Sequence, residues 1–249
     1  MVLAYIQQLS SSTTLIQSAA KLATQLAKTF AVLINNHHEV DNLKLMLTES
    51  QVSDCQIIIK NEFDTLYKIC ETNEVSFLFI QLVEVSKKTI RTLLSDCREI
   101  RIPYLFFKDT FTALNLTKII LPVGFLEEEL EKAQFAAAFG RFCGSEVKMF
   151  QANDFGSKAA NNALKMKELF DKFNFQYTIE IASSDSFKID RESIILAQKH
   201  QAGILIVSAS RDYGLDDLIF GPKEFHVVKN SDTPVLIVNP RGDLYALCD

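Results

Sequence analysis

Hydroxyl, guanidinium and carboxylate side chains gather in one loop of this chain. It runs from Ser208 to Asp217, directly after the apolar run Gly203-Ile-Leu-Ile-Val207, and carries Ser208, Ser210, Arg211, Asp212, Asp216 and Asp217. A guanidinium pairs with phosphate through a planar fork, and hydroxyls add donors. The three aspartates oppose a polyphosphate unless a cation bridges. Other chemistry finds little support. No G-x-S-x-G elbow exposes Ser208 or Ser210 as a nucleophile. The phosphate-cradling patterns G-x-x-x-x-G-K-(S/T) and G-x-G-x-x-G are missing.

The remaining reactive residues read as structural. His37 and His38 are adjacent, with Glu39 and Asp41 nearby. Neighbours on an extended segment point to opposite sides, so the pair suits a solvated loop better than a metal. His226 reads as a packed or half-exposed helical residue, and His200 as a cation at a helix end. Glu127, Glu128, Glu129 and Glu131 open a helix, where a solvated acidic face complements the dipole. The five cysteines, Cys55, Cys70, Cys97, Cys143 and Cys248, lack a C-x-x-C pair and read as buried thiols, Cys248 excepted at the exposed end.

Composition narrows the classes. A formal net charge of −5 and no large cluster of Lys and Arg exclude a nucleic-acid surface. No apolar run reaches membrane-spanning length, and the first residues lack a signal-peptide pattern. The expected location is the cytoplasm.

The elements that must position the loop alternate. Strands are expected at Val2–Ile6, Ala31–Ile34, Gln56–Ile59, Phe77–Ile80 and Pro103–Phe107. A second set follows at Lys118–Val123, Val147–Gln151, Tyr177–Ile181, Gly203–Val207 and Pro234–Val238. Short β-branched runs bounded by turn residues suit strands buried on both faces. Helical spacing lies between them: Leu15–Phe30, Asp41–Leu47, Glu62–Cys70 with Phe63 on its apolar face, Lys88–Leu94, Glu127–Phe142, Ser157–Phe173, Ile189–His200 and Phe225–Lys229. Alternating strands and helices imply parallel sheets with helices on both faces. The shared endings, Ile102-Pro-Tyr-Leu-Phe-Phe107 and Thr233-Pro-Val-Leu-Ile-Val238, point to a duplicated unit. The expected domains are 1–112 and 117–242.

The stretch Gly203-Ile-Leu-Ile-Val-Ser-Ala-Ser-Arg-Asp-Tyr-Gly-Leu-Asp-Asp-Leu-Ile-Phe-Gly-Pro222, then a helix and Thr-Pro-Val-Leu-Ile-Val238, resembles the C-terminal signature of the universal stress protein family. Lys118-Ile-Ile-Leu-Pro-Val123 resembles its opening strand. The resemblance is strongest over the second half. It implies an α/β fold of two tandem universal-stress-protein-like (adenine nucleotide alpha hydrolase-like) domains. Each would be a five-stranded parallel open sheet with helices on both faces.

Many members of that family bind ATP through G-x-x-G-x9-G-(S/T), which corresponds here to Ser208, Arg211, Gly221 and Pro222. Only Gly221 fits. Pro222 has neither hydroxyl nor backbone N–H. The family's acid after the first strand is replaced by Gly124 in the second half and by Gln7 in the first, and the first-half loop Gln81–Ser86 has no glycine. The resemblance therefore implies a non-enzymatic stress-response or regulatory module. Its degenerate pocket would be formed by Gly124, Ser208, Arg211 and Gly221, with no cofactor expected. The alternative is a switch that binds ATP or AMP at Ser208–Gly221 and hydrolyses ATP slowly. For partners, the resemblance implies a pseudo-dimer within the chain, with Pro103–Phe107 against Pro234–Val238. A homodimer and unidentified protein partners also belong to that reading.

Overall fold

A computed structural model of the chain describes residues 1–210 and 222–241. The chain divides into two compact units, Met1–Leu114 and Asn115–Asp249.

The first unit holds strands β1 (Val2–Tyr5), β2 (Phe30–Ile34), β3 (Cys55–Ile59), β4 (Phe77–Leu82) and β5 (Tyr104–Lys108). They lie in the order β3-β2-β1-β4-β5, all parallel. Helices α1 (Thr13–Gln25), α2 (Val40–Glu49), α3 (Leu66–Thr72) and α4 (Lys87–Asp96) make the crossovers. Every residue of β2, β4 and β5 is buried, as a strand covered on both faces requires. Right-handed crossovers place α1 and α2 on one face. The chain reverses direction after β3, so α3 and α4 fall on the other.

The second unit repeats the plan. Strands β6 (Lys118–Val123), β7 (Glu146–Gln151), β8 (Tyr177–Ile181), β9 (Ile204–Ser208) and β10 (Val235–Val238) form the order β10-β9-β6-β7-β8, again parallel. A short 3-10 turn, Glu127–Leu130, leads into α5 (Glu131–Cys143). Then come α6 (Lys158–Asp171), α7 (Ile189–Lys199) and α8 (Lys223–Asn230). Gly144 ends α5 at φ 67°, a left-handed conformation that suits a residue without Cβ. Gly203 lies so close to the Asn115 carbonyl that a Cβ would sit 1.3 Å from its oxygen.

Three expectations from the sequence give way to local chemistry. Leu15–Phe30 is not one helix: Ala27 takes φ 51°, the helix stops at Gln25, and Phe30 opens β2 opposite Val2. The helix expected from Glu62 begins only at Leu66, because Thr65 caps it by accepting from Lys68 N. Asp64 instead closes a turn on the Asn61 N–H, and Phe63 is left exposed. Finally, Glu129 and Glu131 of the expected solvated acidic face are buried. Among the described residues, no helix is long and apolar enough to cross a membrane.

Candidate functional site

In each unit the first and fourth strands are neighbours, and the crossovers from them diverge. An open parallel sheet offers a ligand crevice at that switch point, beyond the carboxyl ends of the strands. In the second unit the switch point lies between β6 and β9; in the first, between β1 and β4.

At the end of β9 the chain continues through Ala209, whose N–H donates to the Val238 carbonyl, to Ser210. Both donors of Ser210 are spent on one acid: its N–H and Oγ donate to Glu224 Oε2 at 3.1 and 3.0 Å. Glu224 lies in the first turn of α8 and is only 1% exposed. A carboxylate therefore sits at a helix N-terminus, on a backbone N–H and a hydroxyl. Those are the groups that would otherwise meet a phosphate.

Behind it lies an ionic cluster. Glu129 ion-pairs with Lys132, and Lys223 Nζ lies 3.5 Å from Glu129 Oε1 and 3.5 Å from Asp190 Oδ2. Glu129 is 4% exposed and Lys132 fully buried. The spacing that hides them was visible in the sequence: Glu129 and Lys132 stand i, i+3 apart and share a helical face. What the sequence lacked was any sign that this face turns inward.

Burial raises the Glu129 carboxyl, but Lys132 and Lys223 more than offset it and hold the group below its ordinary range. Burial also raises Asp190, and Lys223 offsets only part of that. Burial raises Glu224 as well, with the Ser210 hydrogen bonds a partial offset. Lys223 goes the other way: burial lowers it, but Asp190, Glu129 and Glu224 together hold it above its ordinary value. Three carboxyl groups thus act on Lys223, and Lys132 adds a second ammonium group on Glu129.

Of the residues singled out from sequence, Gly124 follows β6 directly. A Cβ there would meet Ser186 Oγ at 3.2 Å, so a side chain at this position would require Ser186 to shift. Ser186 accepts from Phe125 N at 2.9 Å and donates to Asp154, while Asn162 Nδ2 donates to the Gly124 and Leu126 carbonyls. Ser208 is the last residue of β9, and its buried Oγ has no hydrogen-bond partner. Arg211 and Gly221 lie outside the described residues, as do Asp212, Asp216, Asp217 and Cys248. His37 and His38 are exposed in a 3-10 turn. Among the described residues no group of three or more His, Cys, Asp or Glu side chains could hold a metal ion.

The first unit closes its switch point differently. Gln81, fully buried near the end of β4, accepts at Oε1 from the N–H groups of Gln7 and Gln8, at 2.8 and 2.9 Å. Its Nε2 donates towards Gln8 O, Ser11 Oγ and Asp109 Oδ1. Gln7 Nε2 returns a bond to the Gln81 carbonyl, and Ser11 Oγ donates to Asp109. The N–H groups of Gln7 and Gln8 are therefore both occupied by one amide. A cleft of about 580 Å³ in this unit opens at the other end of the sheet, near Thr29 and Phe30 where β2 begins.

No protein-family model and no curated protein sequence matches the chain. Solved structures do. A universal stress protein from Archaeoglobus fulgidus superposes with a TM-score of 0.69 at 14% identity, covering 97% of each chain. A candidate universal stress protein from Pseudomonas aeruginosa gives a TM-score of 0.62 at 15% identity, covering 96% of this chain and 92% of that one. A protein of unknown function from the same species gives 0.60 at 15% identity, with the same coverage. At such identities the likeness speaks for the fold. The chain has the α/β fold of the universal stress proteins.

Proposed function

We propose that this protein is a non-enzymatic stress-response or regulatory module that does not bind ATP in the manner its fold suggests. One observation carries the reading: the Glu224 carboxylate takes the Ser210 N–H and O–H at the start of α8. An incoming phosphate would have to displace that carboxylate and then lie beside Glu129 and Asp190. Each charge-assisted donor forfeited costs on the order of 1.5–3 kcal/mol. Two such losses are enough to remove micromolar affinity. In the first unit the Gln81 amide occupies backbone donors on the other strand of the switch point, those of Gln7 and Gln8 after β1.

The test is a calorimetric titration of the intact protein with ATP, ADP and AMP. The expected result is no saturable heat up to about 1 mM nucleotide. Binding below 1 µM, on the order of −8 kcal/mol or stronger, overturns the proposal. The second reading, a switch binding ATP or AMP through the Ser208–Gly221 loop, draws on the unpartnered Ser208 hydroxyl. It predicts that submicromolar binding, and its loss in Ser208→Ala.

A further inference from the structure

The outer strand of the second unit, β8, ends the order β10-β9-β6-β7-β8, and among the described residues it has β7 on one side only. Its ladder to β7 fixes which backbone groups are used. Val147 N donates to Gln176 O, and Ala182 N donates to Gln151 O. A parallel ladder engages alternate residues of each strand. Thr178 and Glu180 therefore face β7, whereas the N–H and C=O groups of Tyr177, Ile179 and Ile181 point away from the sheet. Sheets ordinarily blunt such an edge with Lys, Pro or a bulge. The edge Tyr177-Thr-Ile-Glu-Ile181 has one charged residue, Glu180, and none of these. From Thr178 to Ile181 every residue is exposed, Ile181 by 68%. By contrast β3, the outer strand of the first unit, is mostly half-buried.

The sequence of β8 is complementary to itself. In an antiparallel pair with a two-fold axis at Ile179, the two copies of Ile179 exchange both backbone bonds, and Tyr177 pairs with Ile181 of the other copy. All three outward residues are then satisfied. Tyr177, Ile179 and Ile181 of both copies line one face. Glu180 falls opposite Thr178, so no like charges meet; a two-fold axis at Glu180 would instead set two carboxylates face to face. The geometry points to a second copy of this chain as the occupant: two molecules join through β8 and continue the sheet of the second unit across a two-fold axis. This inference is independent of whether the switch point binds nucleotide.

Sedimentation velocity and light scattering on the full chain, from about 1 to 200 µM, test it; an edge pairing of this size belongs to the weak class of interfaces. Wild type should move from monomer to dimer within that range. Ile179→Pro removes an outward N–H while leaving the β7 ladder intact, and should weaken association more than tenfold with an unchanged far-UV spectrum. Thr178→Glu sets a carboxylate opposite the partner's Glu180 and should weaken association similarly. Adding Glu180→Lys to that variant should restore it. A chain that stays monomeric throughout, or a dimer indifferent to both Ile179→Pro and Thr178→Glu, overturns the inference.

Discussion

The two units share one topology and satisfy backbone donors at the switch point with different chemistry. In the first, an amide holds the backbone: Gln81 bonds Gln7 and Gln8 after β1 and reaches Ser11 and the single acid Asp109. In the second, charges do it: Glu224 on Ser210, and Lys223 between Glu129 and Asp190. The difference teaches what the fold demands. The ends of the first and fourth strands present backbone donors that a ligand or the protein itself must satisfy. Either kind of partner suffices, but their energetic signatures diverge. Neutral hydrogen bonds cost little to assemble. Buried ions cost heavily to desolvate and become expensive when one partner is removed.

The sharpest way to break the comparison is to orphan one member of each network. Lys132→Ala leaves Glu129 buried with only the more distant Lys223. It should destabilise the second unit by about 3–5 kcal/mol in urea denaturation. Gln81→Leu takes the acceptor from the Gln7 and Gln8 N–H groups and leaves Asp109 with the Ser11 hydroxyl. The expected cost is smaller, about 2–3 kcal/mol. If the neutral network proves the costlier to break, the distinction drawn between the units is wrong.

Acidity sharpens it further. Glu224 and Asp190 are held above their ordinary values, so the folded state grips their protons more tightly than the unfolded chain does. Their unfavourable contribution is absent at and below the ordinary carboxylate values and grows as pH rises through the folded ones. Glu129, held below its ordinary value, acts oppositely: it stabilises above that value, and the gain is lost as pH falls through its folded one. Glu224→Gln should therefore gain stability on wild type as pH rises from about 4 to about 8, with no gain at the acid end. A difference that stays constant across that range would show that the Glu224 carboxyl binds its proton no more tightly in the folded state than in the unfolded one.

The smallest expected effect concerns a matched pair. Cys55 in the first unit and Cys143 in the second are half-buried, and burial pushes both thiols to about 11. Cys70 is pushed to about 12. Thiolates are then scarce at pH 8, and nucleophilic attack depends on them. A disulfide reagent should label Cys55 and Cys143 slowly and alike, read by peptide mass spectrometry. Rapid labelling of either one alone would mean that the units differ in local opening.

Much of the site was legible in outline. The runs Phe77–Ile80 and Gly203–Val207 fell on β4 and β9, because a strand buried on both faces must be apolar throughout. Gln7 and Gly124 were singled out as the residues after the first strands, and both lie at the switch points. What escaped was the inward turn of Glu129 and Glu131. An acidic run at a helix start reads as solvated, since nothing in one segment shows a lysine supplied by another. Lys223 comes from α8, nearly a hundred residues on, and Asp190 from α7.

The order of strands and helices and its repetition along the chain were written in the sequence itself, because periodicity is a local property. Which side chains meet the backbone donors at the strand ends was decided only by tertiary structure. Glu224 meets Ser210, and Gln81 meets Gln7, only once the parallel strands are registered side by side. Hydrogen bonds and ion pairs act over a few ångströms, and sequence separation says nothing about such distances until the chain is folded.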